Sequence, residues 1–214
     1  MQPTSVFGPI DPDDDRLRHY IIEVYAEPLR TYVSRIPDAR PLDPAEVVNE
    51  FVIKKMLSDG EYLRRWKAEG GSLRSWIRGG IRWEIKTQLR SWHRACGRNV
   101  SVDDLDIGPS DLAAADAEFD RTVARRMIAA TVAAAREKLP SRDHEMVLDH
   151  LPHADASHAE LGERIGCTAG RVTVLKRVVT KHLRAALDET LRLEGWTEEE
   201  REMGLEDLQK DLSQ

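Results

Sequence analysis

Between residues 64 and 98 the chain carries ten Lys/Arg and two Glu, interleaved with Trp66, Trp76, Trp83 and Trp92, four of its five tryptophans. Cations bind backbone phosphate and flat rings stack on unpaired bases, so the mixture suits single-stranded or melting nucleic acid. A second basic stretch, residues 157–187, holds six Lys/Arg against two acids in a chain whose formal net charge is −6. Locally concentrated positive charge in an acidic protein is a surface for phosphate. Both stretches also have a structural reading: Trp76, Ile77, Ile81 and Ile85 as core residues, and the basic side chains as a solvated face. Covalent or metal chemistry has little to work with. Cys96 and Cys167 are far apart, and His93 with Cys96 is half a metal motif lacking a second pair. His144, His150, His153 and His158 cluster in sequence without sharing a helical face with carboxylates. We therefore expect no metal, no cofactor and no catalytic residues, which leaves a nucleic-acid-processing enzyme as the least favoured function.

The elements that must position these residues are helical. Within SHAELGERIGCTAGRVTVLKRVVTKHLR, Ser157 is an N-cap and Glu160, three residues on, completes a capping box. Leu161 and Ile165 share a face, Gly162 permits close approach of a second helix, and Gly166 suits the left-handed end of the first. Thr168 then caps a helix whose Val172, Leu175 and Val179 face inward. This is a helix-turn-helix, and its outer face presents Thr168, Ala169, Arg171, Thr173, Lys176 and Arg177.

Upstream, apolar spacing predicts a first core helix over 16–35, with Pro28 as a kink or break. Asp43 caps a second helix, opened by Pro44, that buries Val47, Val48, Phe51, Val52 and Met56 and exposes Glu46, Asn49 and Glu50. A short segment EYLRRWKA and a bend at Gly70 and Gly71 lead into a long helix from Ser72 to about Arg94. Gly79 and Gly80 inside it cost about 1 kcal/mol each relative to Ala, so close packing or a bend should offset them. Residues 99–120 have seven Asp/Glu, no Lys or Arg and several turn formers, which predicts a linker. The expected class is all-α, with two small helical domains. Their boundaries are an acidic lead-in over 1–15, a first domain over 16–98, the acidic linker over 99–120, a second domain over 121–187 and an acidic tail over 188–214. The tail has ten acids against three bases and is expected to fold onto the basic face of the second domain and restrain DNA binding there. No apolar run is long enough to span a bilayer and the start lacks the pattern of a signal peptide, so we expect a cytoplasmic protein without membrane insertion.

The order of parts resembles a bacterial RNA polymerase sigma factor of the extracytoplasmic-function type, group four: a sigma-two domain, a linker and a sigma-four domain. DPAEVVNEFVIKKM is similar to the family's region-two segment, and GSLRSWIRGGIRWEIKTQLR to the helix that follows it. LPSRDHEMVLDHL with ELGERIGCTAGRVTVLKRVVTKHLR is similar to the sigma-four segments. The chain departs from the pattern at Leu73, Gly79, Gly80, Trp83, Thr87, Val174 and Leu175. The resemblance implies that Asp43, Glu46, Asn49 and Glu50 dock on the clamp helices of the largest polymerase subunit, with the flap as a second contact. It implies that the loop from Lys67 to Ser72 holds a flipped base of the minus-ten element. Arg74, Arg78, Arg82, Trp83, Lys86 and Arg90 would hold the melted strand, and the helix from Thr168 would read the minus-thirty-five element. Core polymerase and promoter DNA are the implied partners, an anti-sigma factor is a third that the family admits, and the bound factor would reside at the nucleoid. Without the resemblance, a helix-turn-helix regulator that binds duplex DNA by itself explains the second domain.

Overall fold

The computed structural model describes residues 15–58, 61–97, 109–150 and 157–202. The expected lead-in through residue 14, the turn at 59–60, linker residues 99–108, His153 and the tail from 203 lie outside them. Every regular element among the described residues is helical, and none is long and apolar enough to cross a membrane.

Helix α1, Asp15–Arg35, buries Leu17, Tyr20, Ile21, Val24, Tyr25, Leu29, Tyr32 and Val33 on one stripe. Pro28 does not break it: the ring is itself buried within that stripe, and packing on both sides outweighs the missing backbone bond. Helix α2, Pro44–Val48, starts at Asp43, whose Oδ1 accepts the Ala45 amide at 2.9 Å. The chain then widens into a π-helix over Asn49–Ser58, ending where Ser58 Oγ donates to the Ile53 carbonyl at 2.7 Å. That winding keeps Phe51, Val52, Met56 and Leu57 inward.

Helix α3, Glu61–Glu69, buries Leu63 and Trp66, and helix α4, Leu73–Ala95, buries Leu73, Ile77, Ile81, Ile85 and Leu89. The two mid-helix glycines of α4 have different reasons. A Cβ on Gly80 would lie 1.9 Å from the Tyr62 hydroxyl and 2.6 Å from the Phe51 ring, whereas one on Gly79 would meet nothing. Close packing thus offsets the cost at Gly80 alone.

Helix α5, Pro109–Glu137, corrects the expected linker: residues 109–120 are its first turns. Ala115, Phe119 and Val123 are buried, and the Phe119 ring lies 6.3 Å from Tyr25 and 5.6 Å from Tyr32 between centroids. This apolar stripe makes a core element of a stretch whose acids suggested solvent. Helices α6, Arg142–His150, α7, His158–Ile165, and α8, Ala169–Leu193, follow. Val147, Leu148, Leu161, Val172, Leu175 and Val179 form their core, with Val132 of α5 against it.

The described residues up to Met127, with Leu193–Trp196, make one compact unit, and those from Ile128 to Arg192, with those after Trp196, make a second. The division therefore falls inside α5, later than the expected boundaries at 98 and 120. The expected tail is also divided: Leu193–Trp196 belong to the first unit, while Arg201 Nε donates to Asp188 of α8 at 2.9 Å.

Candidate functional site

The helix-turn-helix is built as its sequence predicts. The Ser157 Oγ accepts the Glu160 amide at 3.2 Å and the Glu160 carboxylate accepts the Ser157 amide at 2.7 Å. These bonds to the charged form hold the Glu160 carboxyl below its ordinary value. Gly166 ends α7 at φ +72°, and a Cβ on Gly162 would stand 2.6 Å from the Cys167 carbonyl, so only glycine lets the turn close over α7. Thr168 Oγ accepts the Arg171 amide at 3.3 Å at the start of α8. Thr168, Ala169, Arg171, Thr173 and Arg177 are exposed and Lys176 is half-buried. Thr173 Oγ lies 3.3 Å from His158 Nδ1, which ties this face to α7. Val174, 50% exposed, stands among these polar residues.

On the first unit, the six residues of α4 expected to hold the melted strand separate into two groups, while Lys67 and Ser72 belong to the loop before it. Along α4 the basic positions 74, 78, 82, 86 and 90 recur every four residues. Each step overshoots a turn by about 40°, so the row rotates by roughly 160° from end to end. Its early members therefore face α5. Arg78 Nη1 bonds to Asp120 Oδ2 at 2.9 Å, and Arg82 pairs with Asp116 while donating to the Tyr32 hydroxyl at 2.8 Å. The guanidinium of Arg74 lies against the Met127 sulfur. The later members, Lys86 and Arg90, share the outward stripe with Trp83, which is 59% exposed. Lys55, reaching over from the π-helix, sits 5.0 Å from the Trp83 ring centroid while pairing with the buried Glu84. Sequence reasoning missed Lys55 as part of this platform, since no periodicity connects positions 55 and 83. Trp92, 37% exposed and edge-on to His93, lies half a turn round α4 from Trp83, on its opposite side. Trp66, in contrast, is core. Trp76 is half-buried and stacks at a tilt on Tyr62, 5.6 Å between centroids.

Between α3 and α4, the loop from Lys67 to Ser72 turns on two glycines, Gly70 at φ +79° and Gly71 at φ +90°. Trp66 Nε1 donates to the Gly71 carbonyl at 2.9 Å, and Ser72 caps α4 by accepting the Ser75 amide at 3.3 Å. Lys67 is half-buried. Beside this loop lies Glu194, a residue of the acidic tail expected on the basic face of the second domain, which belongs instead to the first unit. Glu194 is 1% exposed, and its carboxyl accepts the Tyr20 hydroxyl at 2.7 Å and the Tyr25 hydroxyl at 2.7 Å. Burial raises its pKa despite these bonds and the nearby Arg74 charge, and burial with Glu194 alongside raises both tyrosines well above the usual phenol range.

The third expected surface is the acidic edge of α2 and the π-helix. Asp43, Glu46 and Asn49 are exposed, with the Asp43 side chain engaged in its cap, and Glu50 is half-buried in an ion pair with Lys54. Among the described residues no cluster of His, Cys, Asp and Glu could hold a metal ion. Chemically, the arrangement offers an aromatic and cationic stripe on one unit and a polar helix face on the other. No family model matches the chain, and no curated protein or solved structure matches it either.

Proposed function

We propose that the protein is a sigma factor of the extracytoplasmic-function type, which binds core RNA polymerase and directs it to open promoters. The observation that carries this reading is the presence, on separate compact units of one chain, of two surfaces suited to different states of DNA. A capped helix-turn-helix with Arg171, Lys176 and Arg177 on α8 suits the edges of paired bases in a major groove. Exposed Trp83 beside Lys55, Lys86 and Arg90 suits bases that have left the stack. A protein that reads only duplex operators needs the first surface and has no use for the second.

On this reading Val174 meets a thymine methyl within the recognition face, replacing a polar contact with an apolar one. Extracting a base costs a few kcal/mol, so a fixed stacking platform and loop lower the barrier to melting. Glu46, Asn49 and Glu50 dock on polymerase. The chain itself makes and breaks no covalent bond, and it works in the cytoplasm at the nucleoid. The test is co-elution of the purified protein with bacterial core polymerase, repeated with Glu46, Asn49 and Glu50 changed together to Ala. Co-elution that the triple change weakens supports the reading; duplex DNA binding without any core binding replaces it with the stand-alone regulator.

A further inference from the structure

The first backbone amides of a helix point outward without intrahelical partners and carry partial positive charge, so they accept whatever oxygen is brought to them. In α4 these amides are already occupied. The Leu73 amide donates to the Glu194 carbonyl at 2.9 Å, and the Arg74 amide bonds to the Glu194 carboxyl. The same carboxyl is held from the other side by the hydroxyls of Tyr20 and Tyr25 on α1. Gly195, at φ +81°, then passes directly over the α3–α4 loop. A Cβ there would fall 2.7 Å from the Trp66 ring and 3.2 Å from the Gly71 carbonyl.

From this geometry we infer that Leu193–Trp196 is an autoinhibitory strap, which closes the α3–α4 loop and the start of α4 against single-stranded DNA until it is displaced. The inference rests on the proposed function, since that reading assigns the loop to an unpaired base. Glu194 supplies to Leu73 and Arg74 the kind of oxygen acceptor that a base carbonyl or a phosphate would bring. Occupant and nucleic acid therefore compete for the same two donors. Gly195 allows the strap to lie flat on Trp66, because its conformation and its clearance both exclude a side chain. The strap is the continuation of α8, so the chain that carries the recognition face also carries the occupant.

Two substitutions in the full-length chain, both outside α3 and α4, displace the strap by independent routes. Gly195→Leu places a side chain into the Trp66 ring, and Glu194→Lys brings a cation to the helix amides and Arg74. For each, hydrogen exchange at Leu73 and Arg74 is measured, with fluorescence anisotropy of a labelled twelve-nucleotide single-stranded DNA of randomised sequence. The expected result is faster exchange at both amides and DNA binding about tenfold tighter than in the unaltered protein. Faster exchange with unchanged DNA affinity overturns the strap and leaves a plain helix cap. Unchanged exchange in both variants overturns it as well. Loss of the folded circular-dichroism signal in both variants also overturns it, because the segment is then part of the core. Core polymerase co-elution of the unaltered protein separates this from the proposed function. No core binding with gained DNA affinity removes the sigma reading alone, and core binding without the gain removes the strap alone.

Discussion

Two adjacent glycines in α4 make an internal control on the packing of the first unit. Gly79→Ala and Gly80→Ala each remove a helix-interior glycine, which by propensity stabilises the helix by about 1 kcal/mol. At Gly79 nothing opposes this, since an added methyl meets open space. At Gly80 the methyl falls 1.9 Å from the Tyr62 hydroxyl and 2.6 and 2.7 Å from two atoms of the Phe51 ring. Tyr62 is half-buried and can swing outward, but doing so breaks its 3.1 Å bond to the Trp76 carbonyl, worth about 1 kcal/mol. Phe51 is 2% exposed and ringed by neighbours, so its displacement is overpacking, at about 1–3 kcal/mol. Gly80→Ala is therefore expected to destabilise by about 1–3 kcal/mol net, and Gly79→Ala to stabilise by about 1 kcal/mol. Urea unfolding followed by tryptophan fluorescence measures both, with the slope checked for constancy. Equal stabilisation by the two substitutions would refute the reasoning.

The remaining predictions concern single groups. Glu194 has a raised pKa in the folded chain, so the folded state holds the proton more tightly; this stability is fully present below the ordinary value of 4.5 and is lost as pH rises through the folded value. Urea midpoints taken from about pH 4 to 8 should fall across that window and flatten in Glu194→Gln, an effect absent if the carboxyl is solvated. Ser157→Ala should cost the second unit about 1 kcal/mol through its lost cap, read by thermal unfolding. On the proposed function, Trp83→Ala should weaken single-stranded DNA binding by about 1–3 kcal/mol with little effect on stability. Arg82→Ala should do the reverse, destabilising the first unit by about 1–3 kcal/mol by removing its bonds to Asp116 and Tyr32. On the same proposed function, Arg177→Ala should lower duplex affinity and reduce its salt slope by about 1.

What could be read from the residues alone follows the range of the interactions. The helix-turn-helix is local: Ser157 and Glu160 are three apart, and Gly162 meets Cys167 five residues later, so type and spacing suffice to specify it. The division of α4 into a face against α5 and an outward stripe was not legible, because Arg78 and Arg82 find Asp120 and Asp116 across an intervening run of chain. The family resemblance implies one surface for Arg74, Arg78, Arg82, Lys86 and Arg90, whereas the helical rotation turns the early ones toward α5. Charge counting read residues 109–120 as linker, although Ala115 and Phe119 already carry the four-residue spacing of a buried stripe. Glu194 lay beyond sequence reasoning altogether. One acid among ten in the tail is distinguished only by two tyrosines far away in the chain.

That distance has a kinetic consequence. Tyr20 and Glu194 are separated by 174 positions, and the first unit is interrupted by all of residues 128–192. A ribosome adding roughly 5–20 residues per second needs about 3–13 s to traverse that interruption. During those seconds the nascent first unit can assemble α1 to α4 and the first part of α5, but its tyrosine pair and the first amides of α4 await a Glu194 not yet synthesised. Each newly made molecule thus passes through a stage without this contact, and closing it spans 174 positions, a slow, high-contact-order step.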